Sequence, residues 1–278
     1  MPDVRKKNGV WSMTLACLSS WLHSPRTVIV LIFILALCLS EAFLHQGSLA
    51  QQELALTWGE TLYYYLSYGF NVLMSSALFL IMADELPRQI AFQNYALIRT
   101  RRIKWLMAQL LFCLLLVLIM LALCSGAILL ASIGHSVPGM GWSDMAQVEQ
   151  GWLMEAQDGV VSAMIRNHYT PLQATGLALL PLGLFWLTML LVIVLFGLYG
   201  KGIIGLSLCL MSVLSSVIIM NVQWDELPLP IAFATLKRLI ITNNMACYWQ
   251  AIGGYGVIIV GLIGFMIWQI KRADLHFS

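Results

Sequence analysis

The chain has 278 residues, 60% of them hydrophobic and only 10% charged, with a net charge of +2 and a mean hydropathy of +0.84. A soluble domain carries about 25% charged residues, and one this apolar would expose large aggregating patches, so a soluble globular protein is excluded. The near-neutral charge gives no reason to expect a nucleic-acid partner.

The N-terminal MPDVRKKNGVWS is basic, but the hydrophobic run after it is span-length and lacks a small-residue cleavage site, so no cleaved signal is expected. Residues 10–22, VWSMTLACLSSWL, repeat apolar positions at Trp11, Leu15, Leu18 and Leu22. That spacing predicts a helix of about 8–24 lying on the inner membrane surface. Ser24-Pro25 then breaks it from the first span.

Six runs qualify as transmembrane helices, at about 27–46, 61–83, 105–133, 172–198, 202–222 and 248–270. Each is long enough for the roughly 20 residues that a bilayer requires. Tyr63, Tyr64 and Tyr65 are expected as outer headgroup anchors, and Trp105 as an inner one. Thr170-Pro171 reads as an N-cap and first-turn proline, and Pro181 as a kink in the fourth span. The fourth and fifth spans are separated only by residues 198–202, which predicts a tight hairpin.

Twelve of the fifteen basic residues fall on one side if the N-terminus is cytoplasmic, leaving Arg166, Lys237 and Arg238 outside. Both termini are therefore expected in the cytoplasm. The outer segment 134–170 includes SDMAQVEQGWLMEAQ, with Ser143 as an N-cap candidate. The outer segment 223–247 is expected to form a short apolar-faced helix, whose Lys237 and Arg238 would meet Asp225, Glu226 or lipid phosphates. The expected fold class is thus an all-α polytopic membrane protein, 1–278 forming one transmembrane domain with short outer helices.

Chemistry is sparse. His23, His45, His135, His168 and His276 are scattered, and there is no HExxH, Cys-x-x-Cys or GxSxG pattern. The six cysteines lie mostly in apolar runs and suggest no disulfide framework. GLYGKG at 197–202 fails as a phosphate loop, because position 195 is leucine and position 202 is glycine. Glu41 in the first span, Asn71, Ser75 and Ser76 in the second, and Ser212, Ser215 and Ser216 in the fifth are candidates for a polar substrate path. Serines in spans also serve as interhelical bonds of about 0.6 kcal/mol. Gly253, Gly254, Gly256, Gly261 and Gly264 predict a close helix approach along the last span.

No internal energy source is visible, so transport would need power from another subunit. Residues 84–104, DELPRQIAFQNYALIRTRRIK, offer a cytoplasmic docking element, with a short helix over 88–98 after Leu86-Pro87. Together with the inner-surface helix at 10–22, the outer segment WDELPLPIAFATLKRLI at 224–240 and the tail WQIKRADL at 268–275, this layout resembles the permease subunits of type 2 ABC exporters, the ABC-2 permease family. The resemblance covers nearly the whole chain as an architecture, although segment 134–170 is longer than the family usually shows.

The resemblance implies a coupling helix carrying Arg88, Gln89, Phe92, Gln93 and Tyr95, seated in a groove of a separate cytoplasmic ATPase. It further implies a second permease subunit, identical or paralogous, contact with membrane lipids, and a bacterial inner-membrane location. The chain itself would hold no cofactor, since ATP and Mg would belong to the ATPase. The alternatives are a secondary transporter or channel, and an intramembrane enzyme.

Overall fold

The computed structural model describes residues 9–50, 57–67, 69–83, 102–133, 136, 139, 141–143, 163–222 and 245–275. These are almost all α-helical, as an apolar chain must be where no water is available to satisfy its backbone groups. In chain order the helices are α1 (Val10–Leu22), α2 (Pro25–Ala50), α3 (Trp58–Ser67), α4 (Gly69–Ala83) and α5 (Arg102–Ser132). They continue with α6 (Ala163–His168), α7 (Pro171–Leu198), α8 (Gly202–Val222) and α9 (Met245–Leu275).

Among the described residues three helices are long and apolar enough to cross a membrane: Ile103–Ser132, Pro171–Leu198 and Met245–Arg272. Two bent pairs raise the number to five if each counts as one span. α1 and α2 meet at 73°, where Ser24-Pro25 interrupts the helix as expected. α3 and α4 meet at 75°, so the run 61–83, read from sequence as one helix, is two. α8 runs over Gly202–Val222, the bounds expected for the fifth span, and its fully described stretch Gly202–Ser215 is apolar.

The core sits around α7, which packs against α3, α4, α5, α8 and α9. Its start is fixed by a complete capping box. Gln173 N donates to Thr170 Oγ1 at 3.4 Å, and Thr170 N donates to Gln173 Oε1 at 3.0 Å. Pro171 occupies the first helical turn, where a missing N–H costs nothing. Pro181 lies inside α7 without ending it. At the far end, Gly200 turns the chain with φ +70°, and Lys201 N closes the turn on Phe196 O at 2.9 Å. The glycines of GLYGKG thus serve a helical hairpin. Gly205 completes it, since a Cβ there would lie 2.9 Å from Phe196 Cβ.

Several expected surface positions are buried. Tyr63, Tyr64 and Tyr65 are 0%, 7% and 7% exposed, because α5, α7 and Trp142 cover α3. Trp105 is buried too, under α1. α1 turns Thr14, Cys17 and Trp21 toward the protein, while Trp11, Leu15 and Leu22 stay exposed. On α9, a Cβ added at Gly253, Gly254, Gly256, Gly261 or Gly264 would meet nothing within 4 Å. The close approach expected from those glycines is absent among the described residues.

Candidate functional site

Glu60, Tyr63 and Ser67 follow one another at spacings of three and four residues on one face of α3, and Asn71 and Ser75 lie four apart on one face of α4. All five are buried, at 3% exposure or less. The two helices meet at 75°, so the stripe is in two parts, one on each side of the break. Polar side chains at such positions are expensive in an apolar interior unless partnered, and the partners differ along the stripe.

On α4 the serines are satisfied locally. Ser75 Oγ donates to Asn71 O at 2.5 Å, a bond back to its own helix. Ser76 Oγ accepts from Trp186 Nε1 at 2.8 Å, and Phe79 stacks on the same indole at 4.7 Å. Asn71 Oδ1 has no hydrogen-bond partner although its residue is buried. Asn71 stands in the first turn of α4, immediately past the break. Just before it, Ser67 Oγ donates to Tyr63 O at 2.8 Å and so occupies one carbonyl of α3's last turn.

At the other end the stripe meets a polar knot. Glu60 is 0% exposed. Its Oε2 accepts from Thr57 N at 2.7 Å and its Oε1 from Ser143 N at 2.5 Å. The carboxylate therefore ties α3 to the segment beyond α5. Trp142, next to Ser143, donates from Nε1 to Tyr169 O at 2.7 Å and sets its ring edge-on to Tyr63 at 5.5 Å. Thr175 Oγ1 donates to Pro171 O at 2.9 Å and approaches Gly59 O at 3.1 Å. Gly59 must be small, because a Cβ would lie 3.0 Å from Pro171 Cβ and 3.2 Å from Leu172 N. Tyr248 Oη donates to Leu177 O at 3.1 Å, which fastens α9 to the same end of α7.

A second junction lies at the opposite end of α5. Thr14 Oγ1, on α1, is 3.2 Å from Ala108 O and 3.0 Å from Val10 O. Gln109 Nε2 points at Cys17 Sγ across 3.7 Å. These contacts, with buried Trp21 and Trp105, brace α1 against the first turns of α5.

Asn71, Ser75 and Ser76, expected on a polar path, all lie on α4 and are buried. On α8, Ser215 Oγ bonds the Ser212 carbonyl of its own helix at 2.8 Å. Ser216 and Glu41 lie in α8 and α2, but their side chains are outside the described residues, as are Arg88, Gln89, Phe92, Gln93 and Tyr95. The helix expected after Ser143 is also outside them. Ser143 Oγ itself makes no hydrogen bond and so caps nothing.

Sequence reading passed over Glu60, Thr57 and Trp142. The signal was present: Thr57-x-x-Glu60 immediately before an apolar run is the capping-box pattern. No family model, no curated protein and no solved structure matches the chain.

Proposed function

We propose that the chain is the transmembrane permease subunit of an ATP-binding cassette transporter, an exporter of the type 2 kind, energised by a separate cytoplasmic ATPase. In this reading α1 lies on the inner face of the plasma membrane, six spans follow and both termini are cytoplasmic. Residues 84–104 dock on the ATPase, which binds ATP and Mg. A second permease subunit, identical or paralogous, completes the pathway.

The observation that carries the reading is the brace at the start of α5. Segment 84–104 runs from the end of α4 to the start of α5, and α1 holds those first turns of α5 through Thr14 and Cys17. A push on the segment is delivered to two helices at once. One of them, α4, begins at the interruption and carries Asn71 in its first turn. The outward-turned Trp11, Leu15 and Leu22 give α1 an apolar face suited to lipid.

The test is isolation of the protein from its native membrane in mild detergent, followed by an ATPase assay. An ATPase should co-purify, and Phe92→Ala with Tyr95→Ala should release it while membrane insertion is kept. Repeated recovery of the chain without ATPase, and cargo transport that survives ATP depletion, would overturn the proposal.

A second reading, an ion-coupled secondary transporter, is favoured by one observation, the buried carboxylate of Glu60 on a broken helix. Such transporters place ion ligands beside interrupted spans. Cargo movement that follows an ion gradient and ignores ATP would select it.

A further inference from the structure

Glu60 poses a problem of charge. An ionised carboxylate offers about four acceptor positions, and only two are filled here, each by one backbone N–H. Among the described residues no lysine, arginine or histidine pairs with it. The N-terminus of α3 supplies about half a positive charge at most, which leaves an anion of zero exposure incompletely balanced.

The surrounding oxygens sharpen the problem. In a reciprocal capping box Thr57 Oγ1 would accept from Glu60 N. Glu60 N instead donates to Thr57 O at 3.1 Å, and Thr57 Oγ1 is left buried without a partner. The threonine is 93% buried, counted from its 7% exposure. Its methyl group is the atom that faces Gly139, since a Cβ there would lie 3.2 Å from Thr57 Cγ2. Ser143 Oγ is likewise buried and unpartnered. Each of these hydroxyls is three covalent bonds from an amide nitrogen that grips the carboxylate, so both are tethered beside it.

We propose that Glu60, Thr57 and Ser143 form a binding site for a hard monovalent cation of the sodium kind at the end of the bundle where α3 and α7 begin. The donor set is all oxygen, which selects hard cations over those that seek imidazole or thiolate. It carries one negative charge, whereas divalent sites recruit more carboxylates, and the described residues hold no group of three or more His, Cys, Asp or Glu able to take a metal. A bound cation neutralises Glu60 and secures residues 142–143 over α3. The site needs no ATPase, and it bears on the ion-coupled reading only where cargo movement also follows the sodium gradient.

The test is thermal unfolding of the full chain in detergent, with sodium chloride titrated against choline chloride at constant ionic strength. Sodium should raise the melting temperature saturably, as a ligand of the folded state does. Glu60→Gln should abolish that rise. Thr57→Val and Ser143→Ala keep both backbone amides, and each should weaken sodium about 10-fold to 100-fold, the loss typical of a perturbed cation site. Equal melting in the two salts would overturn the proposal, and so would a sodium response retained in Glu60→Gln. Should Glu60→Gln fail to fold, an unchanged sodium midpoint in both hydroxyl variants would overturn it equally.

Discussion

α7 and α9 are similar in length and both strongly apolar, yet half of α7's most apolar stretch is buried and only 11% of α9's. Their side chains explain the difference. α7 presents Phe185, Trp186, Met189, Leu190 and Val194 to neighbours on several sides. α9 rests on α7 through Tyr248 and Tyr255 and leaves Val257, Val260 and Trp268 exposed. Hydropathy alone does not separate a central post from a peripheral helix, because lipid and protein interior are equally apolar. The difference lies in which residues meet complementary surfaces.

The largest break in that comparison should come from Trp186→Ala. It removes an indole that is stacked on Phe79 and bonded to Ser76, and should cost about 3–5 kcal/mol by chemical denaturation in mixed micelles. The corresponding truncation of Trp268, which is 51% exposed, should cost far less. Comparable losses would mean that α9 is as enclosed as α7.

Glycine substitution tests the same contrast by sign. Gly205→Ala forces a methyl group to within 2.9 Å of Phe196 Cβ and 3.2 Å of Ile193 Cα, and should destabilise by about 1–3 kcal/mol through overpacking. Gly261→Ala places its methyl in open space and should stabilise by about 0.5–1 kcal/mol, the helix-interior difference between the two residues. A clear loss at Gly261 would show that another surface rests against α9 in the assembled protein.

Legibility in the sequence followed the same line. Thr170-Pro171 announced the start of α7 because capping chemistry is local. Ser24-Pro25 announced the break before α2 for the same reason. Tyr63–Tyr65 and Trp105 were misplaced, because a ring anchored among headgroups and a ring buried beneath a neighbouring helix look alike in one dimension. The break between Ser67 and Gly69 was missed because the run 61–83 is span-length and apolar as a whole, although Ser67, Gly69 and Asn71 hint at weakness. Asn71, Ser75 and Ser76 were found by polarity alone. Glu60 was overlooked because its meaning depends on Ser143, a partner eighty-three positions away.

The hairpin at Gly200 carries a mechanical consequence. Stitched by Lys201 N to Phe196 O and pressed together at Gly205, α7 and α8 have no slack and must swing as a single beam.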